Sequence, residues 1–156
     1  MSTIFADKFK NTSGGNNVKI NQLSGIDTAG SINVTGEGGS TTTNLQQGLV
    51  KNWLRYNGAT NTINDSLNCA SVTDNATGTF TNNYTNNMGS ANYSFGEMAG
   101  FDTSGGDTEY ARGLVVLDLD DITTSSMKVY SNYASASNNG INDAHMIAHQ
   151  LFGDLA

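Results

Sequence analysis

The chain has 156 residues, 37% hydrophobic and only 13% charged, with a formal net charge of −7 and a pI of about 4.4. That sign works against phosphate contact and against adsorption to anionic membranes, so neither nucleic acid nor a membrane surface is an expected partner. The single cysteine, Cys69, excludes an internal disulfide, no apolar run reaches membrane-spanning length, and MSTIFADKFK lacks a secretory apolar core. The reading is of a soluble chain made in a cytosol.

Asn (21), Thr (18), Ser (15) and Gly (18) make up 72 of the 156 residues. Disorder normally combines such polarity with high charge and few aromatics. Here charge is low, and 13 aromatic residues sit mostly inside alternating runs, so an ordered all-β protein with many turns is expected. Proline is absent and lysine scarce, which leaves sheet edges without their usual protection. A partner subunit is the simplest cover. Six Asn-x-Ser/Thr triplets, at Asn11, Asn33, Asn64, Asn75, Asn83 and Asn92, follow from composition and are not read as glycosylation sites.

In chain order, residues 3–10 predict a short strand or extended arm, and Val18, Ile20 and Leu23 a second strand. Ile32 and Val34 predict a third, before the linker-like GEGGSTTTN of residues 36–44. About eight large apolar side chains in the first 45 residues are too few to close a core. They lie either on the following domain or, the preferred reading, against copies of themselves as an intertwined β stem. Leu45, Leu49 and Trp53 fall four apart, as on a helix, but a strand from Leu49 onward fits the context better, with Val50, Leu54 and Tyr56 inward and Lys51, Trp53 and Arg55 outward.

Asn57-Gly58 predicts a turn and Thr62-Ile63 a brief strand. Leu67–Thr73 and Thr79–Thr85 predict a hairpin around a five-residue loop, with Phe80 and Tyr84 on one face. Ala91–Met98 predicts a strand with Tyr93 and Phe95 on one side, and residues 100–108 an exposed loop. Ala111–Leu119 reads as a strand buried on both faces, Thr123–Tyr133 as an alternating strand, and Ser135–Asn142 as a polar loop. The last strand places His145, Ile147, His149 and Leu151 on one face. This spacing is that of a sandwich or small barrel, with no helix longer than two turns.

The centre of the chain carries Gly48, Leu49, Lys51 and Trp53, then Tyr56-Asn57-Gly58, Asp65, Ser66 and Asn68. Thr73, Asp74, Thr77 and Gly78 follow, then Tyr84, Thr85, Asn92 and Tyr93. In this order the residues resemble a repeated module of tailed-bacteriophage structural proteins, especially those of marine and cyanophage-type phages. The resemblance is strong over 36–95 and weak beyond, with Leu67 where the family usually has Phe and Asn75-Ala76 filling the hairpin differently. It implies a virion structural protein, a short trimeric fibre with an extended arm or stem over 1–44 and an antiparallel β-sandwich or jelly-roll-like knob over 45–156. Its partners would be two further copies, other virion proteins of tail or capsid, and a host-surface glycan. A capsid decoration protein is the alternative, and a polysaccharide depolymerase a weaker one. The module brings no catalytic residues and no cofactor.

Three groups of residues invite chemistry. His145 and His149 stand four apart, but on a strand roughly 13 Å separates them, too far to share an ion, and no Glu follows His145 as zinc proteases require. A His facing the axis of a trimer is the remaining metal reading. Asp118, Asp120 and Asp121 close a strand and suggest calcium or glycosidase carboxylates, yet ligands and an acid partner are missing, so a solvated strand end is expected. Trp53, Tyr56, Tyr93, Tyr110, Tyr130 and Tyr133 suggest sugar stacking or core, with the loops 100–109 and 134–142 as the sugar-contacting regions. Cys69 reads as a small buried apolar residue.

Overall fold

The structure, a computed structural model, describes residues 32–36, 38–100, 111–115, 118–134 and 139–156. It is all-β and sandwich-like. One antiparallel sheet is ordered β4 (Thr62–Leu67), β3 (Val50–Asn57), β11 (Met146–Phe152), β7 (Ser94–Gly100). The other runs β5 (Cys69–Ala76), β6 (Thr79–Tyr84), β9 (Ser126–Ala134), and β9 also pairs with β8 (Ala111–Val115) and β10 (Asn139–Ile141). Ser131 accounts for the position of β10. Its N–H donates to the Gly78 carbonyl and its carbonyl accepts from the Asn142 N–H, so β10 continues along the edge of β9 where β6 begins.

Alternation selects the interior. Leu54 and Tyr56 on β3, Ile147 and Leu151 on β11, Phe80 and Tyr84 on β6, and Met127 and Val129 on β9 form one buried cluster drawn from both sheets. Each such side chain contributes about 1.5–3 kcal/mol on leaving water. Tyr56 and Phe80 meet edge to face across the sheets, with ring centroids 5.2 Å apart. The chain therefore closes this interior from its own residues. The inward set of β3 is Asn52, Leu54 and Tyr56. Val50 is half-buried, and Lys51, expected outward, is buried because its ammonium donates to the Gln46 carbonyl.

Two corners differ from expectation. Leu67–Thr73 is not one strand: Leu67 ends β4 and Cys69 begins β5 in the other sheet. Between them Asn68 adopts φ +58°, a left-handed conformation that Asn tolerates. Its side chain accepts from the Asn86 N–H at 2.7 Å and donates to the Asn86 carbonyl at 3.0 Å, while its own carbonyl accepts from Asn52 and Thr85. The β5–β6 loop is two residues, Thr77-Gly78, rather than five. Gly78 sits at φ +67° with a Cβ position only 2.8 Å from the Asn142 nitrogen, so both conformation and space require glycine.

Elsewhere, Asp118 caps a 3-10 turn over Leu119–Asp121, accepting from the Asp120 N–H, so the strand predicted to run through Leu119 has given way and Leu119 is 83% exposed. The region expected as a polar loop at 135–142 contains β10 at its end. Tyr93 is buried just before β7, whereas Phe95 is partly exposed. The linker-like 36–44 segment holds β2 (Thr42–Asn44), which pairs with β1 (Asn33–Thr35) and with neither sheet. Asn44 then caps the four-residue α1 (Leu45–Gly48), accepting from the Gln46 and Gln47 N–H groups. The strands expected before Ile32, the loop expected over 100–108 beyond Gly100, and Tyr110 lie outside the described residues.

Candidate functional site

The outer face of the four-stranded sheet carries a concave surface beside the tryptophan. Trp53 and Arg55 project from β3, and register places Gln150 opposite Trp53 and Ala148 opposite Arg55. Across β11, Gly96 lies opposite Gln150 and Met98 opposite Ala148. Directly opposed residues share a face, so Ala148 forms a low floor between Arg55 and Met98, and Gln150 stands between Trp53 and Gly96. The result is an open groove of about 580 Å3. Trp53 is half-buried, and Arg55, Gln150 and Met98 are exposed. Trp53, Arg55 and Gln150 make no side-chain hydrogen bond or ion pair with any described residue.

Behind the same strands runs a buried polar chain. The Asn82 amide donates to Asn52 Oδ1 at 2.8 Å and meets His149 Nε2 at 2.5 Å, and Asn52 donates to the Asn68 carbonyl at 2.9 Å. With both Asn82 amide protons spent, the imidazole accepts at Nε2 and carries its proton at Nδ1, which has no partner among the described residues. Burial lowers the His149 pKa from 6.5 to about 4, so the ring is neutral above that pH. Glu97 faces His149 across β7 and β11, with its Oε1 buried and unpartnered. Burial raises its pKa from 4.5 to about 7. Nearby, the Tyr84 and Tyr93 hydroxyls meet at 2.8 Å, and burial raises both phenols.

The residues singled out from sequence separate rather than converge. His149 is engaged inside its own chain and cannot face a shared axis, while His145 precedes β11. No group of three or more His, Cys, Asp or Glu among the described residues is placed to hold a metal ion. Asp118 and Asp120 are exposed and lie on a turn rather than on one strand face, and Asp121 pairs with Lys128 at 2.5 Å. Tyr56 and Tyr93 are core; the Tyr56 hydroxyl donates to Asn61 Oδ1. Tyr130 lies outward under Lys128, whose ammonium is 5.7 Å from its centroid, and Tyr133 packs over Gly140. Cys69 is half-buried, and burial pushes its thiol pKa up. Of the aromatics, Trp53 is the one that walls the groove on the outer sheet face. Sequence reading missed the Asn52–Asn82–His149 chain, although Asn52 and Asn82 stand at inward positions between apolar neighbours.

The third feature is an edge. Among the described residues β4 pairs only with β3 and β5 only with β6, and Asn68 joins them directly, so both sheets of the described chain end on the same side. Nearly every residue of β4 and β5 is exposed, including Ile63 at 39% and Leu67 at 47%. Residues 62–76 contain no Lys, Arg or Pro. No helix among the described residues is long and apolar enough to cross a membrane. Set against family models, curated proteins and solved structures, the chain matches none.

Proposed function

We propose that this chain is a non-enzymatic structural protein of a tailed-phage virion, a short trimeric fibre that attaches to the particle and contacts the host surface. Residues 1–44 form its arm or stem and 45–156 a jelly-roll-like knob. The observation that carries the reading is the β4–β5 edge. A stretch from Thr62 to Ala76 presents strand edges unpaired among the described residues, and exposed Ile63 and Leu67, with no basic residue or proline to repel a neighbour. Monomeric β proteins rarely leave such an edge open. Copies of the chain cover it, joining sheet to sheet. The phage-like order of residues over 36–95 supports the same reading, as does the β1–β2 hairpin, which pairs with neither sheet.

Immunogold labelling of intact particles tests the location. Label at the tail is expected. Label over the head would make the chain a capsid decoration protein, and no label on purified particles would end the virion reading. Release of reducing sugar from host envelope polysaccharide by the purified chain would replace the structural role with a depolymerase.

A further inference from the structure

The outer-face groove holds an unspent charge. Among the described residues, the cationic side chains whose positions are defined are Lys51, Arg55 and Lys128. Lys51 donates to the Gln46 carbonyl and Lys128 pairs with Asp121. Arg55 has neither kind of partner. Its cross-strand neighbour Asp65 turns Oδ1 to the Ser66 N–H and forms no ion pair with it. In a chain with 7 basic and 14 acidic residues, an uncommitted guanidinium beside the sole tryptophan is a specific feature.

The groove's other properties fit a sugar. Its volume of about 580 Å3 lies in the range of small-ligand sites. Ala148 keeps the floor low between Arg55 and Met98, and Gly96 leaves room for the Gln150 side chain to lie beside it, 3.5 Å from the position a Cβ would take, so a flat ring can reach the indole. A pyranose presents C–H groups on one face and hydroxyls at its rim; the indole takes the first, and Gln150 and the Trp53 N–H are free for the second. The guanidinium fork matches a carboxylate in two parallel hydrogen bonds. The chain's net charge of −7 opposes a dense polyanion at longer range, which favours a ligand with isolated carboxylates.

We infer that this groove binds an acidic saccharide, with a uronic-acid ring on Trp53 and its carboxylate on Arg55. This charge complementarity deepens the adhesion part of the proposed function and rests on it for its biological sense. The binding step itself stands or falls alone. A chain absent from particles would remove the fibre reading and leave the site, whereas a flat titration of a particle-borne chain would remove the site and leave the fibre.

Because Trp53 is the only tryptophan, its fluorescence reports this groove directly. Cellobiouronic acid and cellobiose differ by one carboxylate and are the matched probes. Cellobiouronic acid is expected to shift the emission saturably, and cellobiose to bind about tenfold or more weaker, the loss set by one charged hydrogen-bonded pair. Arg55→Ala should bring the acidic sugar down to the level of cellobiose. Gly96→Val, which suits a strand and crowds the Gln150 side chain out of its place and into the groove, should remove both responses while keeping the fluorophore. Thermal melts of both variants confirm that they are folded. The proposal is overturned by no response up to about 10 mM, by equal affinity for the two sugars, or by a response that both folded variants retain.

Discussion

The two faces of the sheet β4-β3-β11-β7 are both polar in places, but they use polarity in opposite ways. Inside, Asn52, Asn82 and His149 are joined to one another, and burial keeps the ring neutral above a pH of about 4. Outside, Trp53, Arg55 and Gln150 have nothing to bond within the described chain. A polar residue at an inward strand position thus marks sheet-to-sheet specification, and an uncommitted one on the outer face marks a surface for something else. The comparison also separates stability from binding, since the same strands carry both.

Breaking the inner face should cost most. Phe80→Ala removes a ring that is 2% exposed and packs on Tyr56. About 3–5 kcal/mol of destabilisation is expected in urea unfolding. Asn82→Leu leaves Asn52 Oδ1 and His149 Nε2 without their donor and should cost about 1–3 kcal/mol. A double-mutant cycle with Asn52→Leu should recover part of that loss, and strict additivity would show that the chain of amides is not a unit.

The next effect depends on pH. The folded-state pKa of His149 lies below 6.5, so between about 4 and 6.5 the unfolded chain binds the extra proton. Its contribution to stability is therefore present above 6.5 and lost as pH falls toward 4. Glu97 runs the other way. Its folded-state pKa lies above 4.5, so between 4.5 and about 7 the folded chain holds the extra proton, and its contribution is lost as pH rises. The two oppose each other from 4.5 to 6.5. Relative to wild type, Glu97→Gln should make stability rise more steeply with pH in that window, and His149→Gln should make it fall. Parallel urea midpoints for all three proteins across the window would remove this assignment.

Changes to the outer face should matter least to folding. Met98→Ser alters a side chain that is 60% exposed, and its melting midpoint should correspond to a change within about 0.5 kcal/mol. A loss as large as that of Asn82→Leu would mean that the outer face is already packed against protein.

The sheets themselves were readable because period-two alternation survives in β3, β6, β9 and β11, the strands with one dry face. Legibility failed where local backbone chemistry decided. Asn68 looks like any other residue of a polar strand, yet its left-handed conformation moves the chain from one sheet to the other. Asp118 stops an apolar run by capping a turn, which the pattern of Leu117 and Leu119 conceals. The outer groove was half visible: Trp53 and Arg55 were placed outward, but Gln150, Gly96 and Met98 join them only through strand pairings distant in sequence. The buried partners of His149 were hidden for the same reason.

Assembly through the β4–β5 edge is tested most directly by light-scattering mass of the purified chain at micromolar concentration. Three chain masses of 16.4 kDa are expected, falling to one in a folded Ile63→Lys, Leu67→Lys variant. A wild-type chain that runs at a single 16.4 kDa, or a trimer that the two lysines leave intact, would contradict it.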